Sequence, residues 1–340
     1  MQNLRKDGGS TYSQPRVEKV QVIRSSYTPR HVLAEGRFNA KLVFVAEVPK
    51  DSFLFVWAGD AKSISLACYK DEVSKNLHKP PAELIQILYK LVNKIESDIK
   101  GKKISGVRTP PSYGADKQYY IPASSIKGAL RSRLEYKFKP KEVGGKLVSM
   151  ACYSVQGWSQ SRGGHIQFWG KDVNYQREGP CNASLSEHVC VVCDLFGARS
   201  LASRVDFSDL KMVSGTIQNL SDLNLRVYGP EDKFSLSVVA HNANWVDLGL
   251  LLTAMELKSG SPILIGSKKY VYNKVVGSLY KGRYSFGLLK FSLEKAIIFD
   301  HTLTPNVYSI NEFVSEAFKA LEKSQYDKYL DYEKGVLRLH

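Results

Sequence analysis

The apolar residues of this chain repeat with two periods, one close to two and one close to three and a half. From Asn39 to Val48 the run Asn-Ala-Lys-Leu-Val-Phe-Val-Ala-Glu-Val is rich in β-branched and aromatic residues and predicts a strand, with another over Phe53 to Trp57. After Pro80 and Pro81, Leu84, Leu88, Leu91 and Ile95 recur at helical spacing, and Gly101 marks the stop. Lys102 to Gln118 mixes Gly, Pro, Ser and cations and reads as a loop. It leads into a second amphipathic stretch, Tyr119 to Glu135, in which Ile126, Leu130 and Leu134 face a core while Lys127, Arg131 and Arg133 project elsewhere. Further on, Ser203 to Leu210 and Lys233 to Ala240 alternate as strands, and Trp245 to Leu257 is an apolar helical segment. Gly260 to Gly282 is rich in Gly, Ser, Lys and Tyr; Tyr284 to Phe299 is a long strand region, and Asn311 to Lys323 a final helix. Strands and helices interleaved in this order predict an α+β protein with an antiparallel sheet. No internal repeat is visible.

Residues 1–36 lack periodicity and are rich in Ser, Arg, Lys, Gly and Gln, so they are expected to form an extended arm rather than a packed element. The 340 residues are 43% hydrophobic, enough for a sizeable core, and the formal charge is +15. A cationic excess of this kind favours a polyanionic partner, whose condensed counterions are released on binding. No apolar run reaches the roughly eighteen residues of a membrane span, and the start, Met1-Gln-Asn-Leu-Arg-Lys, lacks the apolar core of a secretory signal. The expected location is the cytoplasm.

Cysteine usage adds a candidate chemistry. Of five Cys, Cys181, Cys190 and Cys193 cluster around His188 in the spacing Cys-x6-His-x-Cys-x2-Cys. Thiolate and imidazole are the ligands that tetrahedral zinc prefers, and four protein ligands leave no open position for a substrate. The expectation is a structural Zn2+ held by Cys181, His188, Cys190 and Cys193, with His165 an alternative to Cys181. Cys68 and Cys152 have no such neighbours and read as core thiols.

The segment after Tyr119 carries a second candidate. Ser124 and Ser125 stand at a helix start, where hydroxyls and unpaired backbone NH groups together can hold an anion. Lys127 adds a charge, and Gly128 permits close approach. The same residues also suit a capped amphipathic helix with ordinary surface cations.

Tyr120-Ile-Pro-Ala-Ser-Ser-Ile-Lys-Gly-Ala-Leu-Arg-Ser resembles the signature of the RAMP superfamily, the RNA-binding subunits of type III CRISPR complexes, with Ala123 in place of the family's Gly. Cys190-Val-Val-Cys-Asp-Leu-Phe-Gly followed by Ser203-Arg-Val-Asp-Phe-Ser-Asp resembles a second block of that family. Val227 to Phe234 and Ile265 to Val275 are similar to its closing strand and glycine-rich loop, although Val271 and Asn273 stand where glycines are usual. The resemblance implies a ferredoxin-like, RRM-related core over residues 37–300 with large insertions. It also implies a zinc-stabilised loop at about 145–200 and a helical extension over 301–340. CRISPR RNA contacts are implied for Ser124, Ser125, Lys127, Gly128, Arg131, Arg108, Arg199, Lys268 and Lys269. Target RNA, other RAMP subunits and the large subunit of a type III effector complex are the implied partners.

Relatives that cut target RNA carry an Asp in a loop that corresponds here to Gly101-Lys-Lys-Ile-Ser-Gly-Val-Arg, which has no carboxylate. The expectation is therefore a guide-holding backbone or terminal subunit that does not cut at its own position, and the short Val213 to Leu225 stretch in place of a thumb hairpin fits a divergent paralogue. The alternatives are an endoribonuclease, with Asp60 or His241 as the candidate catalytic group, and an assembly subunit with little RNA contact.

Overall fold

A computed structural model describes residues 19–57, 62–63, 70–100, 107–108, 110–113, 118–153, 164–170, 176–266, 269, 285–300 and 304–337. Asp60, Cys68, Lys268 and the carboxylate-free loop before Val107 lie outside them. The helices, in chain order, are α1 (Lys70–Ser74), α2 (Pro81–Lys100), α3 (Ala123–Lys137), α4 (Gly164–Trp169), α5 (Val191–Phe196), α6 (Trp245–Ala254) and α7 (Ile310–Glu322). None of the described helices is long and apolar enough to cross a membrane.

Period-two patterning builds the main sheet. In the Phe38–Glu47 strand, Phe38, Ala40, Leu42, Phe44 and Ala46 are all buried, as are Phe234, Leu236, Val238 and Ala240 in the Lys233–Ala243 strand beside it. The Phe38–Glu47 strand is flanked by Lys233–Ala243 on one side and Leu288–Phe299 on the other, and both pairings are antiparallel. Val205–Phe207 and Leu210–Ser214 pair with the far edge of Lys233–Ala243, and Gln118–Ile121 continues outward from Leu210–Ser214. The chain is thus an α+β protein on an antiparallel sheet. Phe53 to Trp57 departs from the expected strand: Leu54, Phe55 and Val56 are all buried, and among the described residues the segment makes isolated bridges, Phe53 to Phe286 and Leu54 to Tyr228. A run buried on every side has no solvated face to alternate against.

Helices cover the sheet. Ile126, Leu130 and Leu134 of α3 are fully buried in the main core, one turn apart. α6 begins at a capping box in which the Asn244 side chain accepts from Asp247 N while the Asp247 carboxylate accepts from Asn244 N. Phe313, Ala317, Phe318 and Leu321 of α7 form a buried stripe that joins the same core.

The arm is less detached than its composition suggests. Lys19–Val22 pairs in parallel with Lys146–Ser149 and Gln176–Arg177, and Ser25–Ser26 pairs with His188–Val189. Val20 and Val22 are buried on one face of this strand, while Lys19 and Gln21, which alternate with them, are exposed.

One buried cation joins arm, insertion and core. The Arg204 guanidinium, 1% exposed, makes a two-pronged contact with Asp247 at 2.7 and 2.8 Å and reaches Asp194 at 2.9 Å. Arg37 pairs with Asp247 at 3.0 Å, and Arg30 with Asp194 at 2.9 Å. Burial works against the Asp247 charge, but the Arg204 bonds outweigh it and hold the carboxyl below the usual aspartate range. Because the folded-state pKa is depressed, the stabilisation is complete above the ordinary aspartate pKa of about 3.9 and is lost as pH falls through the folded value. Asp247→Asn is expected to lower the unfolding free energy by about 3 kcal/mol at neutral pH, since it removes the two-pronged partner of a buried guanidinium and leaves Asp194 alone to balance it. In urea melts from pH 7 downward, the gap between wild type and variant should narrow below about pH 4.

Candidate metal centre and nucleic-acid groove

The described residues of the stretch at about 145–200, read from the sequence as a zinc-stabilised loop, are organised around sulfur. Cys152, Cys181, Cys190 and Cys193 are all buried, and their Sγ atoms lie within 4.8 Å of one another. Cys190 caps α5: its Sγ accepts from Cys193 N at 3.5 Å, so the Cys-x2-Cys segment curls both sulfurs to one point. Cys152 arrives from the end of the Lys146–Ser149 strand, with its Sγ 3.5 Å from that of Cys193 and 3.7 Å from that of Cys190. A tetrahedral site with metal–sulfur bonds of about 2.3 Å has sulfur–sulfur edges of about 3.8 Å. The cluster fits a metal by donor type, number and spacing.

The fourth member differs from the sequence expectation. His188 is exposed on the short strand that pairs with Ser25–Ser26, and Cys152 stands in the cluster instead. His165, the other imidazole considered, lies against Tyr136, with ring centroids 5.1 Å apart. Cys152 is 38 residues from Cys190, outside any local spacing motif.

Donors surround the sulfurs. Cys181 Sγ accepts from Cys190 N at 3.2 Å and from Arg24 Nε at 3.4 Å; Cys193 Sγ accepts from Arg131 Nη2 at 3.0 Å. Hydrogen bonds from the other three thiols drive the Cys181 thiol strongly towards thiolate, whereas burial pushes the Cys190 thiol up. A divalent ion held here would let all four thiols deprotonate, with Arg24 and Arg131 placed to offset the remaining negative charge.

Arg131 is therefore held inward. Its guanidinium binds the Glu135 carboxylate at 2.8 Å as well as Cys193 and the Gly197 carbonyl. Gly197 ends α5 at φ +88°, and a Cβ there would sit 3.0 Å from the Leu201 carbonyl, so the turn after Leu195-Phe196 needs glycine.

Beside the cluster lies a groove of about 590 Å³ between α3 and the cysteine loops, lined by Lys127, Arg131, Asn182, Gly197 and Arg199. It gathers three of the cations nominated from sequence. Lys127 is half-buried; burial lowers its pKa, with Asp206 opposing the shift and Arg131 adding to it. Arg199 is exposed. The start of α3 is less open to anions than the sequence suggests, because the Asp209 carboxylate already accepts from Ala123 N at 2.7 Å. Ser124 is exposed there. Ser125, Gly128 and Lys269 line a separate cavity on the other flank of α3. Arg108 lies over the Trp57 ring at 4.6 Å. His241, without an obvious partner in the sequence, meets Asp206 with Nε2 3.1 Å from the carboxylate, both side chains exposed. Asp206 and Cys152 are the residues the sequence reading missed; alternation on adjacent strands could have suggested Asp206, and nothing local marks Cys152.

Removing one sulfur tests the cluster. Cys152→Ser is expected to lose bound metal in elemental analysis and to lower the melting temperature, whereas His188→Ala should retain wild-type metal content.

The family model described as the RAMP superfamily matches residues 57–339. No curated protein matches the chain. Among solved structures it is similar to the crystal structure of the Csm3–Csm4 subcomplex in the type III-A CRISPR-Cas interference complex, at 14% identity and TM-score 0.35, covering 84% of this chain and 98% of that one. The family match takes in α3, the Cys-x2-Cys turn and the Arg204 strand, so this chain belongs to the RAMP superfamily.

Proposed function

We propose that this chain is an RNA-binding subunit of a type III CRISPR effector complex, holding CRISPR RNA by its phosphates. The observation that carries the reading is the groove beside α3, where Lys127 and Arg199, far apart in sequence, converge with Arg131. Such cations hold a backbone irrespective of base, and guide–target pairing then reads the sequence. Target RNA, other RAMP subunits and the large subunit are the partners, and the complex would work in the cytoplasm.

The core is read as ferredoxin-like. In chain order it runs strand Phe38–Glu47, α3, strands Val205–Phe207 with Leu210–Ser214, strand Lys233–Ala243, α6 and strand Leu288–Phe299. In the sheet, the last strand lies beside the first, then the third, then the second. The metal assigned to the four cysteines is zinc, which takes all-sulfur tetrahedral sites, and its role is to hold the wall of the groove. With four protein ligands it has no open position for chemistry.

A ribonuclease reading rests on His241 and Asp206, with Lys127 near the same carboxylate. An exposed His–Asp pair on neighbouring strands is also an ordinary cross-strand ion pair, and binding remains the better-supported role. Cleavage of bound RNA in EDTA that disappears in His241→Ala would reverse that preference.

Lys127→Ala with Arg199→Ala is expected to weaken binding of unrelated single-stranded RNAs alike and to reduce the slope of log affinity against log salt by roughly one to two units. Unchanged affinity and slope would leave the groove without a nucleic-acid role.

A further inference from the structure

Each of the four sulfurs belongs to a segment that the N-terminal arm holds. Lys19–Val22 is the middle strand of three: Lys19 and Val20 stand opposite Gln176 and Arg177 on one side, and Gln21 and Val22 opposite Val148 and Ser149 on the other. Both pairings are parallel, so the three strands end at the same edge of this small sheet. Cys152 follows Ser149 by three residues, Cys181 follows Arg177 by four, and Arg24 follows Val22 by two. The strands that deliver two of the sulfurs are thus joined through the arm rather than to each other.

Beyond the sheet the arm runs on to the third segment. Ser25–Ser26 pairs with His188–Val189, the residues just before Cys190, and Tyr27 N bonds to Glu187 O at 3.1 Å. Thr28 gives its backbone NH, at 3.0 Å, and its hydroxyl, at 2.9 Å, to the Asp194 carboxylate just after Cys193. Between these contacts Arg24 reaches across. Its Nη1 donates to Glu178 at 2.7 Å, its Nη2 to the Gly179 carbonyl at 2.8 Å and its Nε to Cys181 Sγ at 3.4 Å. Val22 N donates to the same Glu178 oxygen at 3.0 Å, Glu178 N to the Val20 carbonyl at 3.0 Å, and Ile23 N to the Ser149 carbonyl at 2.9 Å.

Bringing four sulfurs to one point takes conformational freedom from three stretches of chain. The arm orders those stretches from outside and an ion would order them from inside, so each lowers the ordering cost left to the other. We propose that residues 19–30 are the clasp of the metal site: arm docking and metal binding are one coupled equilibrium, and Arg24 is the residue that positions Cys181 within it. The inference rests on the reading of the four cysteines as a metal site and adds the arm to that site. Coupling is reciprocal, so losing the ion loosens the arm by the factor by which losing the arm contacts weakens the ion. An arm that merely packs Val20 and Val22 against the sheet would stay docked with or without the ion. The clasp also lies behind the groove, because Pro180, Cys181 and Asn182 in the groove wall directly follow Glu178 and Gly179.

Two measurements on the full chain test the clasp. In the first, the zinc-loaded protein is stripped with a chelator, and amide hydrogen exchange is followed over residues 19–30 and, as a reference, over the Phe38–Glu47 strand. Exchange reports local opening segment by segment. Removing zinc is expected to speed exchange in the arm by about tenfold or more and to leave the reference strand unchanged. In the second, zinc affinity is measured by competition with a chromogenic chelator. Arg24→Gln, which removes the charged fork, is expected to weaken zinc binding by about tenfold or more, and Arg24→Lys, which keeps the charge, to recover part of that loss. Thr28 bonds Asp194 rather than a sulfur, so Thr28→Val should weaken zinc binding to a smaller degree through the arm alone. Wild-type zinc affinity in both Arg24→Gln and Thr28→Val would overturn the proposal while leaving the metal reading intact, as would arm exchange that is the same with and without zinc. Exchange that rises equally in the reference strand would also overturn it, because the ion would then hold the whole fold rather than the arm. A wild-type chain that takes up no zinc would overturn the metal reading and the clasp together.

Discussion

The architecture depends on a guanidinium with nowhere else to go. Arg204 is buried between Asp194, one residue beyond the last cysteine of the sulfur cluster, and Asp247, which closes the capping box of α6 with Asn244. Arg30 of the arm and Arg37 just beyond it reach the same two carboxylates. Desolvating such charges costs as much as their attraction returns, so the network need not add net stability. What it adds is selection among arrangements. Apolar side chains would tolerate many small shifts of the insertion over the core, whereas a two-pronged Arg–carboxylate contact tolerates few. Arm, cysteine insertion and core helix are thereby set relative to one another.

That setting gives α3 its surroundings. One face of the helix is core, through Ile126, Leu130 and Leu134; one flank looks on the cysteine loops and the other on the cavity that Ser125 and Gly128 line. The four sulfurs meet in a loop-rich stretch with little apolar core of its own, and a metal held by them would couple its binding free energy to the local fold. Arg131 links the two: it is anchored on α3 by Glu135 and points to Cys193. A residue that reads as a surface cation in the sequence is thus part of the support of the groove.

The legible parts of this protein are those that repeat over a few residues. β-Branched and aromatic content marked the Phe38–Glu47 strand, alternation the Lys233–Ala243 strand, and helical spacing α2 and α3, because each pattern is set by which side chains share a face within one element. The Cys-x2-Cys turn and the segment around Lys127 could be singled out for the same reason: their chemistry lies within a few residues. Cys152 could not. It reaches the cluster through the pairing of the Lys146–Ser149 strand with the arm, a contact between segments more than a hundred residues apart. His188 had the right spacing and the wrong direction, since a local motif fixes distance along the chain and says nothing of which way a strand turns its side chains. Asp209 at the start of α3, Asp206 beside His241, and the division of the nominated cations between two cavities belong to the same class. The residue types, their local periodicity and the family they mark were determined by the sequence alone; which of them meet was decided by the tertiary structure, because contacts between distant segments depend on sheet order and burial, and no local pattern encodes those.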